Sequence, residues 1–326
     1  MINGIINVYK EAGFTSFDVV AKLRGITRIR KIGHTGTLDP DATGVLPVCI
    51  GSATKLCDML TDKTKEYEAT FILGITTDTQ DISGKIMSTN MKELDSILKS
   101  GKQAVESVIS LFVGKQQQIP PMYSAIKING QKLYDLARAG KEVERQPRDI
   151  EIHYINIESI DEAESNLISG KTFEIKIRVG CSKGTYIRTL CYDIGQKLGC
   201  GATMTKLVRT RSGQFKIEDA LTLDQIEQIV KKNNAAQASD ATLASGAEQV
   251  TLALEDIVVP VDKVFEEYET VTVEGEAEKR VLNGNFIKHD YCGDKIRVYL
   301  SDDSFAAVYE YSKEHRNYSP YKMFLK

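Results

Sequence analysis

The stretch KIGHTGTLDPDATGVLPV, residues 31–48, restricts the fold more than any other part of this 326-residue chain. Its glycines and prolines, interleaved with Thr and Asp, predict a loop with an unusual and fixed backbone path. Loops held on a scaffold often carry chemistry, and Asp39 and Asp41 are the carboxylates of this one. Taken alone, however, an Asp before Pro is more often the start of a simple turn.

Patterns typical of strands and of helices alternate on both sides of this loop. Ser16 is placed to cap a helix that runs to about Arg28, with Phe17, Val20 and Leu23 on one face. The stretch after CSKG predicts another helix, which carries Arg188 in its first turn and ends at Gly199. Further helices are expected at about 52–60 and 92–113, and strands at 3–8, 65–73, 149–160 and 171–180.

The length predicts about two domains. Residues 233–250, NNAAQASDATLASGAEQV, have the composition of a linker or surface insertion, with an Ala-rich helix as the alternative. From about residue 255 the pattern changes to short strands separated by turn residues, which predicts a small β domain. We therefore expect domains at 1–250 and 251–326.

The net charge of −3 hides an uneven distribution. Residues 218–278 hold 15 acidic residues against three lysines, a local charge of −12, so the rest of the chain carries +9. Residues 181–216 alone carry seven Lys and Arg against one Asp, and a second basic stretch covers residues 22–31. These segments favour a polyanionic ligand, although a solvated basic face is the simpler interpretation.

Cysteine and histidine usage excludes some classes of protein. The six cysteines form no CxxC pair and the four histidines are scattered, so neither a zinc site nor a disulfide framework is predicted. No apolar run approaches the roughly 18 residues of a membrane span, and the N-terminal residues lack a signal-peptide pattern. We expect a cytoplasmic protein with free thiols, no metal and no membrane partner.

The segment Asp39-Pro-Asp41-Ala-Thr43 fits the DxDxT nucleophile loop of magnesium-dependent aspartyl phosphatases. In those enzymes the first Asp ends a continuous apolar strand. Here GHTGTL precedes it, and GSATK at 51–55 lacks the spacing of a phosphate-binding loop. The phosphatase hypothesis is therefore weak.

Longer blocks carry a more specific signal. GHTGTLDPDATGVLPVCIG, residues 33–51, closely resembles the catalytic motif of the TruB-type tRNA pseudouridine synthases. The resemblance spans roughly residues 3–225 and continues in order through KEYEATFILGITTDTQD (65–81), QIPPMYSAIKINGQKLYDLARAG (118–140), CSKGTYIRTLCYDIGQKLGCGA (181–202) and LVRTRSG (207–213). The C-terminal β region is similar, with a weaker motif signal, to the small RNA-binding PUA-like domain that often follows this catalytic domain.

The resemblance implies a fold and a reaction. The fold is a mixed α/β (α+β) pseudouridine synthase domain with a large central, mainly antiparallel sheet, followed by a small β-barrel-like domain. The reaction isomerises the T-loop uridine at position 55 of tRNA: the N1–C1′ bond breaks, the uracil turns, and C5 joins C1′. Neither redox change nor phosphate transfer occurs, so no cofactor is expected.

Family resemblance assigns the catalytic roles to three residues. Asp39 is the carboxylate, either as a nucleophile on C1′ or as a base at the sugar, and Asp41 is interpreted as local structure. Arg188 is the expected partner of Asp39: a carboxylate ionised in a dry pocket needs a cation, and a cation in the first turn of a helix opposes the helix dipole by ~0.3–1 kcal/mol. Tyr67 is expected to support a flipped-out uracil, with its hydroxyl near the C5 proton that leaves.

Five further residues are predicted to bind the substrate by the same resemblance. His34 takes the space of the flipped base, Asp81 hydrogen-bonds the RNA, and Tyr186 and Leu207 line the pocket. Lys183 belongs to the block that carries Arg188. Each would be an ordinary core or loop residue without the blocks around it.

The resemblance thus implies a stand-alone enzyme, expected to be a monomer, whose partner is the T-arm of tRNA. The basic stretches would contact phosphates, and acidic residues 218–278 would lie away from the RNA. Two alternatives stay open besides the phosphatase: an RNA-binding or tRNA-folding chaperone without essential catalysis, and a guide-RNA-dependent synthase. The lack of a long Lys-rich tail favours the stand-alone type.

Overall fold

The computed structural model describes residues 2–128, 130–165, 167, 170–239 and 254–325, without the side chains of 233–239. Residues 233–239 continue a helix that begins at Leu223. The rest of the insertion predicted at 233–250, and the predicted domain boundary at residue 250, lie outside the described residues.

Eighteen strands are described within these ranges. In chain order they are β1 (Gly4–Lys10), β2 (Ile32–His34), β3 (Thr43–Ile50), β4 (Lys65–Leu73), β5 (Ile75–Thr77), β6 (Ile86–Thr89), β7 (Gly114–Gln118), β8 (Lys127–Ile128), β9 (Gln131–Lys132), β10 (Arg148–Ser165), β11 (Gly170–Cys181), β12 (Ala202–Ser212), β13 (Phe215–Lys216), β14 (Val258–Val259), β15 (Glu269–Thr272), β16 (Lys295–Tyr299), β17 (Phe305–Ser312) and β18 (Asn317–Met323).

Eight α-helices are described alongside them. They are α1 (Ser16–Thr27), α2 (Cys57–Thr61), α3 (Met91–Ser100), α4 (Lys102–Ser110), α5 (Leu133–Arg138), α6 (Ile187–Leu198), α7 (Leu223–Ser239) and α8 (Gly275–Leu282). Short 3-10 turns cover Gly51–Leu56, Ile217–Asp219, Leu254–Ile257 and Val261–Phe265. The helical patterns near 92–113 correspond to α3 and α4, which are separated at Gly101, where φ is 76°.

A ten-stranded sheet forms the centre of the fold. Its order is β14-β1-β3-β12-β4-β11-β10-β7, with β2 paired to β3 and β13 paired to β12. Strands β3 and β12 run parallel, and the other described pairs of this sheet run antiparallel. The mixed α/β fold with a large, mainly antiparallel central sheet is thus confirmed.

Apolar side chains hold helices on this sheet. One buried cluster joins α3, α4 and α6 to β4, β10, β11 and β12, and a second joins α1 and α7 to β1 and β3. Along β4 the buried residues Lys65, Tyr67, Ala69 and Phe71 alternate with Glu66, Glu68 and Thr70, so the two faces of this strand differ in chemistry. The α6 side of the sheet carries the candidate site.

The C-terminal residues form a second, four-stranded sheet in the order β15-β16-β17-β18. Its own apolar core includes Val281, Ile296 and Tyr309. Another cluster packs Phe265, Val308 and Phe324 against Ile5 and Cys49 of the large sheet. Strand β14 also extends the large sheet by pairing with β1, so the chain beyond residue 254 contributes to both sheets.

The start of α1 differs from the expectation that Ser16 caps it. Thr15 is the N-cap: its hydroxyl accepts from the backbone N–H of Asp18 at 3.1 Å, and the Asp18 carboxylate accepts from the Thr15 N–H at 2.8 Å. This reciprocal capping box satisfies two otherwise unpaired backbone groups. The Ser16 hydroxyl is therefore free to bond the loop that carries Asp39.

Candidate active site

Asp39 lies in the loop between β2 and β3. The backbone N–H of Ala42 donates to the carbonyl of Asp39 at 3.2 Å, so the Asp does open a turn. The loop is tied to α1 by a hydrogen bond from the N–H of Leu38 to the Ser16 hydroxyl at 2.9 Å. A turn on one side and a helix on the other hold the backbone of Asp39 in place.

Lys10, at the end of β1, is a buried cation that the sequence analysis missed. Its Nζ donates to the carbonyls of Glu11, Phe14 and Pro40 at 3.0, 2.6 and 2.8 Å. Burial lowers the pKa of Lys10 to about 8, although the nearby Asp39 carboxylate favours the charged form. Lys10 therefore fixes the residue that follows Asp39 and adds positive charge beneath the loop.

Arg188 contacts the Asp39 carboxylate with two nitrogens. Its Nε lies 2.9 Å from Oδ2, and its Nη2 donates to Oδ1 at 3.3 Å. The same guanidinium donates to the carbonyls of Thr79 and Tyr123 at 2.8 and 2.9 Å, and Nη1 lies 3.6 Å from Asp81 Oδ2. Because Arg188 is only 4% exposed, these acceptors replace water around it. The first turn of α6 thus places a cation, with its geometry fixed, against Asp39.

Opposing effects act on the Asp39 carboxyl. Although 41% of its side chain is open to the cleft, the surrounding protein wall removes much of its hydration, and this desolvation raises the pKa of Asp39. Arg188 lowers that pKa, Asp81 raises it, and Lys10 lowers it. The two-point contact with a guanidinium favours the ionised carboxylate.

Tyr67 and Leu207 line a cavity of about 540 Å³ that includes Asp39 and Arg188. Tyr67 extends from β4 and Leu207 from β12, and both are more than nine-tenths buried. Burial raises the pKa of the Tyr67 phenol, which therefore stays protonated at neutral pH. The cavity presents an aromatic ring and an aliphatic side chain beside a carboxylate.

Arg209 is a second residue that the sequence analysis did not single out. It is buried in β12, where its Nε donates to the Val45 carbonyl at 2.6 Å and its Nη2 to the Gly36 carbonyl at 3.3 Å. Its charge lies near Tyr67 and opposes the rise in the pKa of that phenol. The spacing could have revealed it, because Leu207 and a residue two positions later share one face of a strand.

Gly44 permits β3 and β12 to approach each other closely. It pairs with Arg209 across the parallel β3–β12 contact and has a φ of 103°. A Cβ at this position would lie 2.2 Å from the Arg209 carbonyl oxygen. Only glycine fits such a close approach, so β12 and its buried arginine depend on it.

A wider cleft of about 900 Å³ opens on the other side of Asp39. His34 and Asp81 line it together with Asp39, Arg188 and Leu207. The buried Nδ1 of His34 has no hydrogen-bond partner among the described residues, and desolvation lowers the pKa of this imidazole. His34 is therefore neutral at physiological pH. Asp81 accepts from the Thr79 hydroxyl at 2.7 Å and from the Ser83 N–H at 3.0 Å.

Tyr186 and Lys183 also line the 540 Å³ cavity. Tyr186 is the N-cap residue of α6, and its backbone is clamped by Gln118, which accepts at 2.8 Å and donates at 3.0 Å. Lys183 is exposed and forms an ion pair of 2.8 Å with Asp62. The other seven predicted site residues thus line one or both of the cavities that Asp39 lines.

The basic residues of 181–216 do not form one continuous exposed surface for phosphates, because several of them are buried or lie close to a carboxylate. Arg188 and Arg209 are buried, and Arg211 lies 3.8 Å from a carboxylate oxygen of Glu66. Lys206 is exposed and lines the wide cleft. Within the described residues of 218–278, none lines either cavity, as the sequence analysis expects of an acidic segment.

The described residues contain no group of three or more His, Cys, Asp or Glu side chains arranged as metal ligands. Among the helices described, none is long and apolar enough to cross a membrane.

Comparisons with known proteins identify the class of enzyme to which a chain with this fold and this cleft belongs. Residues 24–187 match the N-terminal domain of the TruB family of pseudouridylate synthases. Residues 188–266 match the C-terminal domain of tRNA pseudouridylate synthase B. The chain therefore belongs to the TruB family of pseudouridylate synthases.

Named relatives match almost the whole chain. A tRNA pseudouridine synthase B of Lachnoclostridium phytofermentans is 48% identical and covers 99% of this chain and 100% of its own. The protein of the same name from Clostridium novyi is 42% identical and covers 94% and 95%. Among solved structures, a Cbf5-Nop10-Gar1 complex matches with a TM-score of 0.66 and 27% identity, covering 99% of this chain and 85% of that one.

Proposed function

We propose that this protein isomerises the T-loop uridine at position 55 of tRNA to pseudouridine, with Asp39 as the catalytic carboxylate and without a cofactor. The names of relatives that are similar over nearly the full length support tRNA as the substrate. One observation carries the assignment of Asp39: its carboxylate is held by two nitrogens of a buried arginine inside a cleft that also contains Tyr67.

The reaction requires a uracil that has left its stack, because the N1–C1′ bond is out of reach inside a folded loop. The 540 Å³ cavity offers the Tyr67 ring and the Leu207 side chain as apolar contacts for such a base. Stacking on an aromatic ring contributes ~1–3 kcal/mol per base. Asp39 lines the same cavity, so a base that contacts Tyr67 brings its ribose carbon towards the carboxylate.

Arg188 positions this carboxylate and keeps it ionised. An ionised Asp39 can attack C1′ as a nucleophile, or it can remove a proton from the sugar in an elimination route. Either route ends with the uracil rejoined through C5, the C5 proton released and N1 protonated, so the atoms balance without a cofactor. Tyr67, with a raised pKa, acts as a neutral stacking partner rather than as a phenolate.

Substrate recognition follows from the wide cleft. Its lining includes the four cations Lys85, Lys132, Arg138 and Lys206, which suit the phosphates of a folded RNA arm. We propose that the T-arm lies in this cleft and that the four-stranded C-terminal sheet, as a PUA-like unit, adds RNA contacts. The protein would act as a monomer in the cytoplasm.

The test is tritium release from tRNA that carries 5-³H-uridine. Asp39→Asn removes the ionisable carboxylate but keeps the shape of the side chain, so we expect release to fall by at least about 10³-fold. Binding of tRNA, measured by filter retention, should stay within a few-fold of the original protein. Sequencing of the product should place pseudouridine at position 55.

Asp41→Asn is the matched control, because this neighbouring carboxylate is exposed on the same loop and has no contact with Arg188 among the described ion pairs. It should retain nearly full activity. Turnover by Asp39→Asn, or equal losses in the two variants, would refute the catalytic assignment.

A further inference from the structure

Two large apolar side chains are exposed at the mouth of the wide cleft. Phe17 is 65% exposed and Ile82 is 51% exposed, and both line this cleft together with Asp39. Isolated exposed apolar residues are common on soluble proteins and need no explanation. These two come from distant segments of the chain and line the same concave site, which makes them candidates for a binding surface.

The backbone at both positions is rigid. Phe17 lies within the Thr15–Asp18 capping box of α1, and the neighbouring Ser16 hydroxyl accepts from the N–H of Leu38 at 2.9 Å. The backbone N–H of Ile82 donates to the Met204 carbonyl at 3.0 Å. A ligand would therefore meet both residues on backbone that is already ordered, and only the two side chains would lose freedom on binding.

The charges around these side chains indicate the chemistry of the ligand. The cations Lys85, Lys132, Arg138 and Lys206 line the same cleft. The carboxylates Asp39, Asp41, Asp78 and Asp81 line the cleft as well, so it carries both signs of charge. A flat apolar ring in a cleft that also holds cations suits a nucleotide, whose base has a π-face and whose phosphate is anionic. The reacting uridine is proposed to lie in the other cavity, beside Tyr67, so Phe17 is available to a different nucleotide.

We infer that Phe17 stacks on a second unpaired base of the substrate RNA, and that Ile82 packs against the same nucleotide. This inference rests on the proposed RNA substrate and deepens it, because it assigns the specificity of the cleft to an additional base near the reacting uridine. Phe17 is a substrate-contacting residue in this account, and it takes no part in the chemical step.

Steady-state kinetics on tRNA separate stacking from other roles. Phe17→Ala should raise KM by about tenfold, on the scale of one base–aromatic stack, with kcat within about twofold. Phe17→Tyr should keep the original KM, whereas Phe17→Leu should behave like the alanine variant. Leu111→Ala is the matched control, since Leu111 is 66% exposed but lines neither cavity, and it should change neither constant.

A scan of abasic nucleotides through the T-loop identifies the base. At one position, the abasic RNA should bind the original protein about tenfold more weakly and should bind Phe17→Ala with no additional loss. Additive losses at every position, or an unchanged KM for Phe17→Leu or Phe17→Ala, would overturn the inference.

The binding arm of the scan is repeated in an Asp39→Asn background, so that it does not depend on turnover. Absence of tritium release by the original protein would count against the proposed function alone. Affinity for the T-arm that is unaffected by Phe17→Ala in this background would count against the stacking alone.

Discussion

Arginine–carboxylate contacts occur on both faces of β4, but the arginine is buried on one face and partly exposed on the other. On one face, beside Tyr67, Arg188 is 4% exposed; it contacts Asp39 at 2.9 Å and lies 3.6 Å from Asp81. On the other face, Arg178 is 36% exposed and lies within 3.4 Å of oxygens on Glu66 and Glu158. Glu66 precedes Tyr67 by one residue, so the alternation of a strand separates the two environments.

On the face of β4 that carries Glu66, here called the outer face, the charged side chains form a network, and we expect no single pair in it to be indispensable. Glu158 also contacts Lys176 at 2.7 Å, and Glu66 accepts from the Thr210 hydroxyl at 2.7 Å and lies 3.8 Å from Arg211. Water and the remaining cations can replace any one partner there. In the cleft, by contrast, the guanidinium of Arg188 has fixed acceptors and almost no access to water. The comparison predicts that burial, rather than the type of ion pair, decides which arginine the protein cannot lose.

The largest effect expected from this comparison is that of Arg188→Leu. Tritium release should fall by about 10²-fold or more, because the carboxylate loses both its orientation and its counter-charge. Since water can reach Asp39, the free energy of unfolding should fall by about 1–3 kcal/mol, less than for a fully buried pair. Urea denaturation measures the second quantity.

The same variant has a signature in its pH profile. In the proposed mechanism the rate requires an ionised Asp39, so activity should fall as the pH drops through the pKa of this carboxyl, which burial raises above its ordinary value. Arg188 lowers that pKa, and its removal should move the acid limb of the residual activity to higher pH. An unmoved acid limb would show that another group limits the rate.

The sequence predicted the contact between Asp39 and Arg188, but it did not indicate the buried residues that hold the surrounding backbone, such as Lys10. The Asp39–Arg188 contact joins positions 149 residues apart, and only the match of several motif blocks could predict it. Lys10 resembles the polar end of an ordinary strand, since nothing in its neighbourhood shows that the Pro40 carbonyl lies above it. Local patterns specify local structure, whereas such supports depend on contacts between distant segments.

The expected N-cap of α1 was wrong for a second reason, because two adjacent residues have similar chemistry. Thr15 and Ser16 are both good caps, and the sequence alone does not decide between them. The Asp three positions after Thr15 completes the capping box, and Ser16 then bonds to Leu38, 22 residues away. Charge counts failed similarly, because the total for 181–216 could not show that Arg188 and Arg209 are buried.

Asp193 on α6 provides an intermediate case, a carboxylate that is partly buried without a cation. No lysine or arginine among the described residues forms an ion pair with it, and burial raises its pKa to about 6. The folded state therefore binds this proton more tightly than the unfolded state does. Ionisation of Asp193 destabilises the fold, and this loss of stability builds up as the pH rises from about 4 to about 6. Asp193→Asn should raise the free energy of unfolding at pH 7 by about 1 kcal/mol, less than the full pKa shift would give, because solvent reaches part of this side chain and screens it.

Urea denaturation of the Asp193 variant at several pH values checks this sign. The gain should shrink as the pH falls towards 4, where the original side chain is protonated in the folded protein. A gain that does not depend on pH would mean that the amide acts through packing rather than charge.

The smallest effect is expected for Arg178→Gln on the outer face. Lys176 and Arg211 still neutralise the same glutamates, so the free energy of unfolding should fall by no more than about 1 kcal/mol, and by less in high salt. Tritium release should not change, because Arg178 lies on the face away from Tyr67. Lys171→Gln, which removes a 4.0 Å pair between two exposed side chains, gives the baseline for a replaceable charge. A loss of about 3 kcal/mol or more for Arg178→Gln would erase the contrast between the two faces, since it would make an exposed arginine as important to the fold as the buried one.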